Sequence, residues 1–310
     1  MSRLFNRSYK LTLDDIEIEG GGVGSSRYGL DIKFKVESST KALPNKIDLD
    51  VYNLNPDHRN ALLKQSGSQV SKSSRKPVPV QLEAGYADDR GVIFRGDLRN
   101  LTIKRDGPDF VVSLSGTDSG HTMNTTQFQK SYGPGTLIST AVQDLVTALG
   151  VGTGNLSSFR ALSIPGLGST FPEGHAFSGS ADRLLGDLVR RCGLSWSVQK
   201  GVLQLKKLHE PVDDQVYYLS AETGLIGTPE PEIDATVIPT TSGAPRPPVA
   251  AKRTGLIKVK SLLLHQLYPG AKIVLDSVDF KSGYQIEQID QSGETAGNDW
   301  YSDLLVKQYV

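Results

Sequence analysis

The chain has 310 residues, with 34 Lys plus Arg balanced by 34 Asp plus Glu. That balance withholds the basic excess by which duplex-DNA binders neutralise phosphates, while 32 Gly, 16 Pro and a hydrophobic share of 37% suit short strands with long connections. One cysteine, Cys192, excludes an intrachain disulfide framework, and no stretch nears the about 20 apolar residues of a bilayer span.

The length allows two or three domains with their own cores. Met1 to Lys10 has positive residues but no apolar run behind them, so no signal peptide is expected. A cytosolic folding compartment follows, with no membrane insertion by this chain.

Residues 1–117 read as strands, by the alternation of a half-buried sheet. From Leu30 to Glu37 every even position is apolar and every odd one charged. Ile47, Leu49 and Val51 alternate with Asp48, Asp50 and Tyr52; further strands are expected around Val78 to Leu82, Val92 and Phe94, Leu101 and Ile103, and Phe110 to Leu114. Asp106-Gly107 and Asp89 to Gly91 supply turns. Asn55 and Pro56 mark the cap and first position of a short helix from Pro56 to Lys64.

Residues 118–212 read as a small α/β domain. Leu137, Ala141, Val142, Leu145, Val146 and Leu149 share one helical face closed by Gly150. Leu184, Leu185, Leu188, Val189 and Cys192 repeat it before Gly193, and each helix is followed by an apolar continuation (Val151; Leu194 to Val198), a weak internal repeat. Gln199-Lys200-Gly201 turns a hairpin. Residues 213–310 return to strands at Val216 to Leu219, Ile257 to Val259, Ile273 to Leu275, Tyr284 to Ile289 and Trp300 to Val306. Thr228 to Lys252 is rich in proline and poor in apolar residues, and reads as an extended assembly loop. The fold class expected is mainly β with an α/β insertion: two barrel-like domains flanking a small α/β domain.

No catalytic, cofactor or metal site emerges. His58, His121, His175, His209 and His265 lack metal-ligand spacing. Asp118-Ser119-Gly120 matches the loop of aspartic proteases, but Gly116-Thr117 separate it from the apolar strand and no second copy occurs. Gly20 to Ser26 lacks the Lys and Ser/Thr of a phosphate-binding loop and reads as a hairpin tip, while Asp14-Asp15, Asp88-Asp89 and Asp213-Asp214 read as turn charge.

An ordered series of segments resembles the phage baseplate hub proteins, related in architecture to type VI secretion spike hubs. It starts with Tyr52-Asn53-Leu54, then Gly85-Tyr86 in "LEAGY" and Gly96-Asp97 in "IFRGD". Ser131 to Thr136 and Gly193 to Ser197 follow, then Gly224-Leu225, Gly227 and Pro229 in "TGLIGTP". Val259 to Leu263, Tyr268-Pro269-Gly270 and Asn298-Asp299-Trp300 close it. The resemblance implies a homotrimeric ring joining the sixfold tail tube to a threefold central spike in a contractile tail. Its implied partners are the tube protein, the central spike protein and other baseplate proteins, with DNA only passing through the channel. The implied place is the virion tail baseplate, assembled in the host cytoplasm. The alternatives are a tail-tip adaptor or carbohydrate-binding module using Tyr217, Tyr218, Trp300 or Tyr301, and a hydrolase using Asp118.

Overall fold

The computed structural model describes residues 6–21, 29–66, 78–87, 89–118, 126–157, 166–207, 215–234 and 252–308. It is mainly β. The first part comprises β1 (Arg7–Leu13), β2 (Ile16–Gly21), β3 (Ile32–Ser39), β4 (Lys46–Tyr52), α1 (Pro56–Ser66), β5 (Val78–Tyr86), β6 (Asp89–Asp106) and β7 (Asp109–Thr117). The middle part holds β8 (Gln127–Tyr132), α2 (Ile138–Ala148), β9 (His175–Ser180), α3 (Ala181–Arg191), β10 (Leu194–Gln199) and β11 (Val202–Lys207). Last come β12 (Val216–Ser220), β13 (Leu225–Asp234), β14 (Lys252–Leu262), β15 (Lys272–Asp276), β16 (Lys281–Glu294) and β17 (Trp300–Gln308).

The alternation in β3 is realised: Ile32, Phe34 and Val36 are buried and Lys33 and Lys35 exposed. In α1 the Asn55 side chain accepts a 2.9 Å hydrogen bond from the Asp57 amide, the expected N-cap. Gly150 (φ 70°) and Gly193 (φ 71°) end α2 and α3 in the left-handed conformation that glycine adopts without Cβ cost.

Strands of the first and last parts lie in one thirteen-stranded sheet, and no pairing among the described residues closes either half into a barrel. The main path is β13-β14-β17-β16-β3-β4-β7-β6-β5-β1-β2. β16 makes the join. On one side it pairs with β17; on the other, Lys281–Gln285 pairs with β15 and Gln288–Glu294 with β3, with a bulge between Ile286 and Gln288. That bulge re-aims the strand so that one element serves two partners.

Three departures have local causes. The strands expected around Val92 and Leu101 are one 18-residue strand, β6, bulged at Leu98/Asn100. Gly96 there is no turn: a Cβ on it would lie 2.4 Å from the Thr117 carbonyl oxygen, so glycine permits close passage of β7. Thr228–Asp234 belongs to β13, whose edge position tolerates Pro229 and Pro231. The rest of the proline-rich stretch, up to Ala251, lies outside the described residues, as do Gly22 to Ser26, Asp88, Ser119, Gly120, His121, His209, Asp213 and Asp214. After α2, where the sequence offers an apolar continuation, the described residues make a parallel bridge, Gly152 with Val202.

Three hydrophobic clusters form. One gathers β1 to β7 with α1, and takes in Leu263 and Trp300; a second packs α2 and α3 on β8 to β11; a third lies among Leu219, Val259 and the strands β15 to β17.

Candidate functional site

Eight neighbouring strands, from β13 through β14, β17, β16, β3, β4 and β7 to β6, share one solvent-facing surface. Side chains alternate across a sheet, so the residues opposite the core come into register on this face. Lys260 on β14 faces Asp303 on β17, which faces Asp290 on β16. Further along, Glu294 faces Lys33, and Lys33 and Lys35 on β3 face Asp50 and Asp48 on β4. Beyond β4 the rows become neutral, Ser113 and Ser115 opposite Thr102 and Asn100. Two open troughs, about 530 and 570 Å³, mark the two halves of the face.

The ion pairs here are loose and exposed: Lys33 to Glu294 is 3.8 Å and Lys258 to Glu232 is 3.8 Å, while Lys35 to Glu37 is tighter at 2.6 Å. Such pairs contribute little stability. Asp290, partly buried and flanked by Glu37 and Asp303, has its carboxyl pushed up mainly by burial, which the hydrogen bond from Gln288 opposes. The face is thus a broad, mixed-charge polar surface with no deep cleft.

The motif residues build the frame behind it. Asn53 (φ 54°) turns the chain from β4 to α1, and its side chain ties the turn to the β6–β7 hairpin through Asp109 (2.8 Å) and the Phe110 amide (3.1 Å). Tyr52 lies half-buried on the polar face, and Leu54 enters the first core cluster. Gly96 and Asp97 lie where β6 passes from β5 to β7. Gly224 (φ 114°) accepts the Leu262 amide, Gly227 (φ 68°) bends β13, Leu225 packs on the third cluster, and Pro229 is buried.

Asn298, Asp299, Trp300, Gly85 and Tyr86 are brought together at one seam. Arg7 donates from Nη1 to the carbonyls of Glu294 (3.0 Å) and Gly297 (2.6 Å), and from Nη2 to that of Asn298 (2.8 Å). Asp299 accepts the Glu294 amide through its carbonyl, which closes the β16–β17 loop. Trp300, 1% exposed, packs edge-on against Phe34 with centroids 5.4 Å apart. Tyr86 is buried beside this seam, and its hydroxyl is pushed up to about 12 by burial.

The three parts meet at a second point. Asp118, 6% exposed, accepts hydrogen bonds from the Asn45 amide (3.0 Å, Oδ1) and the Asn45 Nδ2 (2.8 Å, Oδ2). Asn45 Nδ2 also reaches the Val198 carbonyl and Gln199 Oε1, and Gln199 Nε2 donates to the Ser39 carbonyl at 2.8 Å. Lys200, at the tip of the β10–β11 hairpin, and Leu267, Tyr268 and Pro269 line the same small cavity. Burial pushes the Lys200 amine down. Sequence reading did not single out Asn45 and placed Gln199 only in a hairpin turn, since polar residues at strand ends carry no distinguishing pattern.

Both carboxylate oxygens of Asp118 are engaged in holding Asn45, an arrangement suited to fastening segments. The described histidines are dispersed: His58 on α1, His175 stacked on Phe171 (5.3 Å), and His265 beside Asp89 (3.6 Å). Among the described residues no group of three or more His, Cys, Asp or Glu is placed to hold a metal ion, and no helix is long and apolar enough to cross a membrane.

Comparison with known proteins agrees with this architecture. No curated protein sequence matches the chain. Among solved structures, the 43 kDa tail protein of prophage MuSo2 from Shewanella oneidensis is similar with TM-score 0.60 at 10% identity, over 97% of this chain and 98% of that one. The tail protein from Neisseria meningitidis MC58 is similar with TM-score 0.60 at 10% identity, over 98% and 97%. The E. coli c3393 protein, a component of the type VI secretion system, has TM-score 0.55 at 12% identity, over 97% of this chain and 77% of that one. At such identities the likeness is one of fold, shared with phage tail proteins and a type VI secretion component. The family model described as baseplate hub gp41 matches residues 16–233, more than half of the sequence, and the chain therefore belongs to the baseplate hub gp41 family.

Proposed function

We propose that three copies of this chain close into a ring, the structural hub that joins the sixfold tail tube to a threefold central spike in a contractile tail. The observation that carries this reading is the continuous eight-strand polar face. At about 4.8 Å per strand, eight strands span about 38 Å, so three copies enclose a circumference of about 115 Å. The mixed charge suits a passage for DNA. Phosphate affinity grows with each uncompensated Lys or Arg, and here Lys33 and Lys35 face Asp50 and Asp48.

In this reading residues 1–117 and 213–310 are the two tube-like units, and residues 118–212 form the α/β unit at one end of the strands. The partners are the tube protein, the central spike protein and other baseplate proteins, and the place is the virion tail baseplate, assembled in the host cytoplasm. The role is structural and not catalytic, supported by the engagement of Asp118. Sugar stacking by Trp300 is disfavoured by its burial. Mass measurement of the assembled hub tests the proposal. Three chains are expected, with weak, salt-sensitive DNA binding far from the nanomolar range of specific binders. A stable dimer, a sixfold ring or tight sequence-selective DNA binding would overturn it.

A further inference from the structure

The α/β unit keeps its apolar residues to itself. Its hydrophobic cluster, from Tyr132 to Leu205, shares no residue with the two clusters of the sheet. In the hairpin β10–β11, Trp196 and Val198 on one strand and Leu203 and Leu205 on the other belong to that α/β core. Strand alternation therefore turns Ser197 and Gln199 to the opposite face, with Gln204 and Lys206 of β11 on the same side. That face is polar and yet covered: Ser197 is 6% exposed and Gln199 is 5% exposed.

What covers it is the sheet. Asn45, just before β4, donates from Nδ2 to the Val198 carbonyl (2.9 Å) and to Gln199 Oε1 (3.0 Å). Gln199 Nε2 donates to the carbonyl of Ser39, the last residue of β3 (2.8 Å). Lys206 lies 3.9 Å from Glu287 of β16, whose carboxylate also accepts the Thr40 hydroxyl. At the turn, Lys200 (φ 54°) and Gly201 (φ 79°) are left-handed, and Lys200 shares a small cavity with Phe94 of the first part and Leu267, Tyr268 and Pro269 of the last. Burial pushes the Lys200 amine down with no carboxylate opposing it among the described residues, whereas Glu287 opposes the same effect at Lys206.

A contact made of hydrogen bonds gains little over the bonds its groups make with water, and a small polar interface leaves two units free to move. A cation taken from water without a partner counts against the contact. The Asn45–Gln199 network holds the docked state and Lys200 opposes it. We infer that the β10–β11 hairpin is a latch: the α/β unit leaves the sheet at this face with both cores intact, so a partner gripping the unit can displace it without unfolding the chain. The latch belongs to the single chain and does not depend on the number of copies in the hub.

Thiol labelling in the full chain tests it. Ser197→Cys puts a thiol of nearly the same shape on the covered face, and the native Cys192, buried in the α/β core, reports when that core opens. Iodoacetamide, read by peptide mass, is expected to label position 197 at least about tenfold faster than Cys192. The rate should be nearly independent of urea below the unfolding transition, because undocking exposes little surface. Asn45→Ala in the same chain should speed position 197 by about fivefold and leave Cys192 unchanged, while Lys200→Met should slow position 197. In the chain without Ser197→Cys, acetylation of Lys200 by sulfosuccinimidyl acetate should rise on Asn45→Ala alone, which covers the case in which Ser197→Cys folds poorly. Position 197 labelling together with Cys192, with the steep urea dependence of unfolding, would overturn the latch, since the face would then open only when a core melts. So would an Asn45→Ala chain in which both thiols speed up equally, or one in which neither position 197 nor Lys200 responds. Faster labelling in Lys200→Met would overturn the opposing role of the ammonium.

Discussion

The indole Nε1 of Trp300 donates a 3.1 Å hydrogen bond to the carbonyl of Gly85, 215 residues earlier in the chain. The bond carries a side chain of the last strand into the core built by the first seven. With Phe34 on one side and Arg7 5.7 Å from the ring centroid, it fastens the two ends of the sequence into one sheet. A Cβ on Gly293 would lie 2.4 Å from the Phe34 ring and 2.8 Å from the indole, so that glycine is part of the same fit.

Replacing Trp300 by alanine leaves a large cavity and an unpaired carbonyl, and should cost about 3–5 kcal/mol. Trp300→Phe keeps most of the packing and loses the hydrogen bond, and should cost about 2 kcal/mol. Chemical denaturation measures both. An unchanged midpoint in either variant would show that the seam does not hold the first and last parts together.

Asp118→Ala removes the acceptor of two hydrogen bonds and strands the buried Asn45 backbone amide, while the Asn45 carboxamide keeps Val198 and Gln199. The expected loss is about 2–4 kcal/mol, larger than a surface loop residue would give. Asp118→Asn retains one oxygen acceptor and should fall between. If Asp118 served hydrolysis, the variant would lose an activity while retaining its stability. The pair of readouts, thermal melting and hydrolysis of a general peptide substrate, separates the two roles.

The strand alternation in β3 and β4, the capped helix α1 and the two amphipathic helices were legible because each depends on neighbours within a few residues. The union of the outer parts was not. β16 reads as an ordinary strand, and its shift from β15 to β3 depends on a bulge at Ile286/Gln288 that no turn residue announces. Gly96 was legible only as a motif position, since a glycine that admits a neighbouring strand looks in sequence like any other. The ordered motifs of the resemblance pointed to the family, yet their roles came only from geometry: Asn53 serves through its side chain, Asn298 through its carbonyl, and Trp300 through burial and its indole hydrogen bond.

His265 couples the third part to the first through Asp89 at 3.6 Å, with Gly91 close against its ring. Burial, the largest cause, pushes its imidazole below the usual range; the Asp89 carboxylate opposes this and the Lys200 ammonium adds to it. With a folded pKa below the unfolded one, the unfolded chain binds the proton more readily. Stability supplied by the neutral ring is then present above the unfolded histidine pKa and declines as pH falls through it towards the folded value. Melting temperature should fall between pH 7.5 and 5.5, and His265→Gln should flatten that slope. An equal slope in the variant would place the acid sensitivity elsewhere.

Asp290 lies opposite Glu37 on β3 and Asp303 on β17, two like charges across neighbouring strands. Its carboxyl is held above the usual range, by burial first, with Glu37 and Asp303 adding to it and Lys35 and Gln288 opposing. A raised carboxyl pKa favours folding below the folded value and penalises it as pH rises through the unfolded value, so at neutral pH the charge is a cost. Asp290→Asn removes that charge and keeps an oxygen for the Gln288 amide, which donates at 3.1 Å. The variant should be more stable at pH 7 by about 0.5–1 kcal/mol, the scale of a like-charged cross-strand pair, and the gain should shrink towards pH 4. If the face lines a DNA passage, the same variant should bind duplex DNA somewhat more strongly at low salt, because one repelling carboxylate per chain is gone. Greater stability with unchanged DNA affinity would place Asp290 away from the passage; no gain in stability at pH 7 would show that Lys35 already neutralises it.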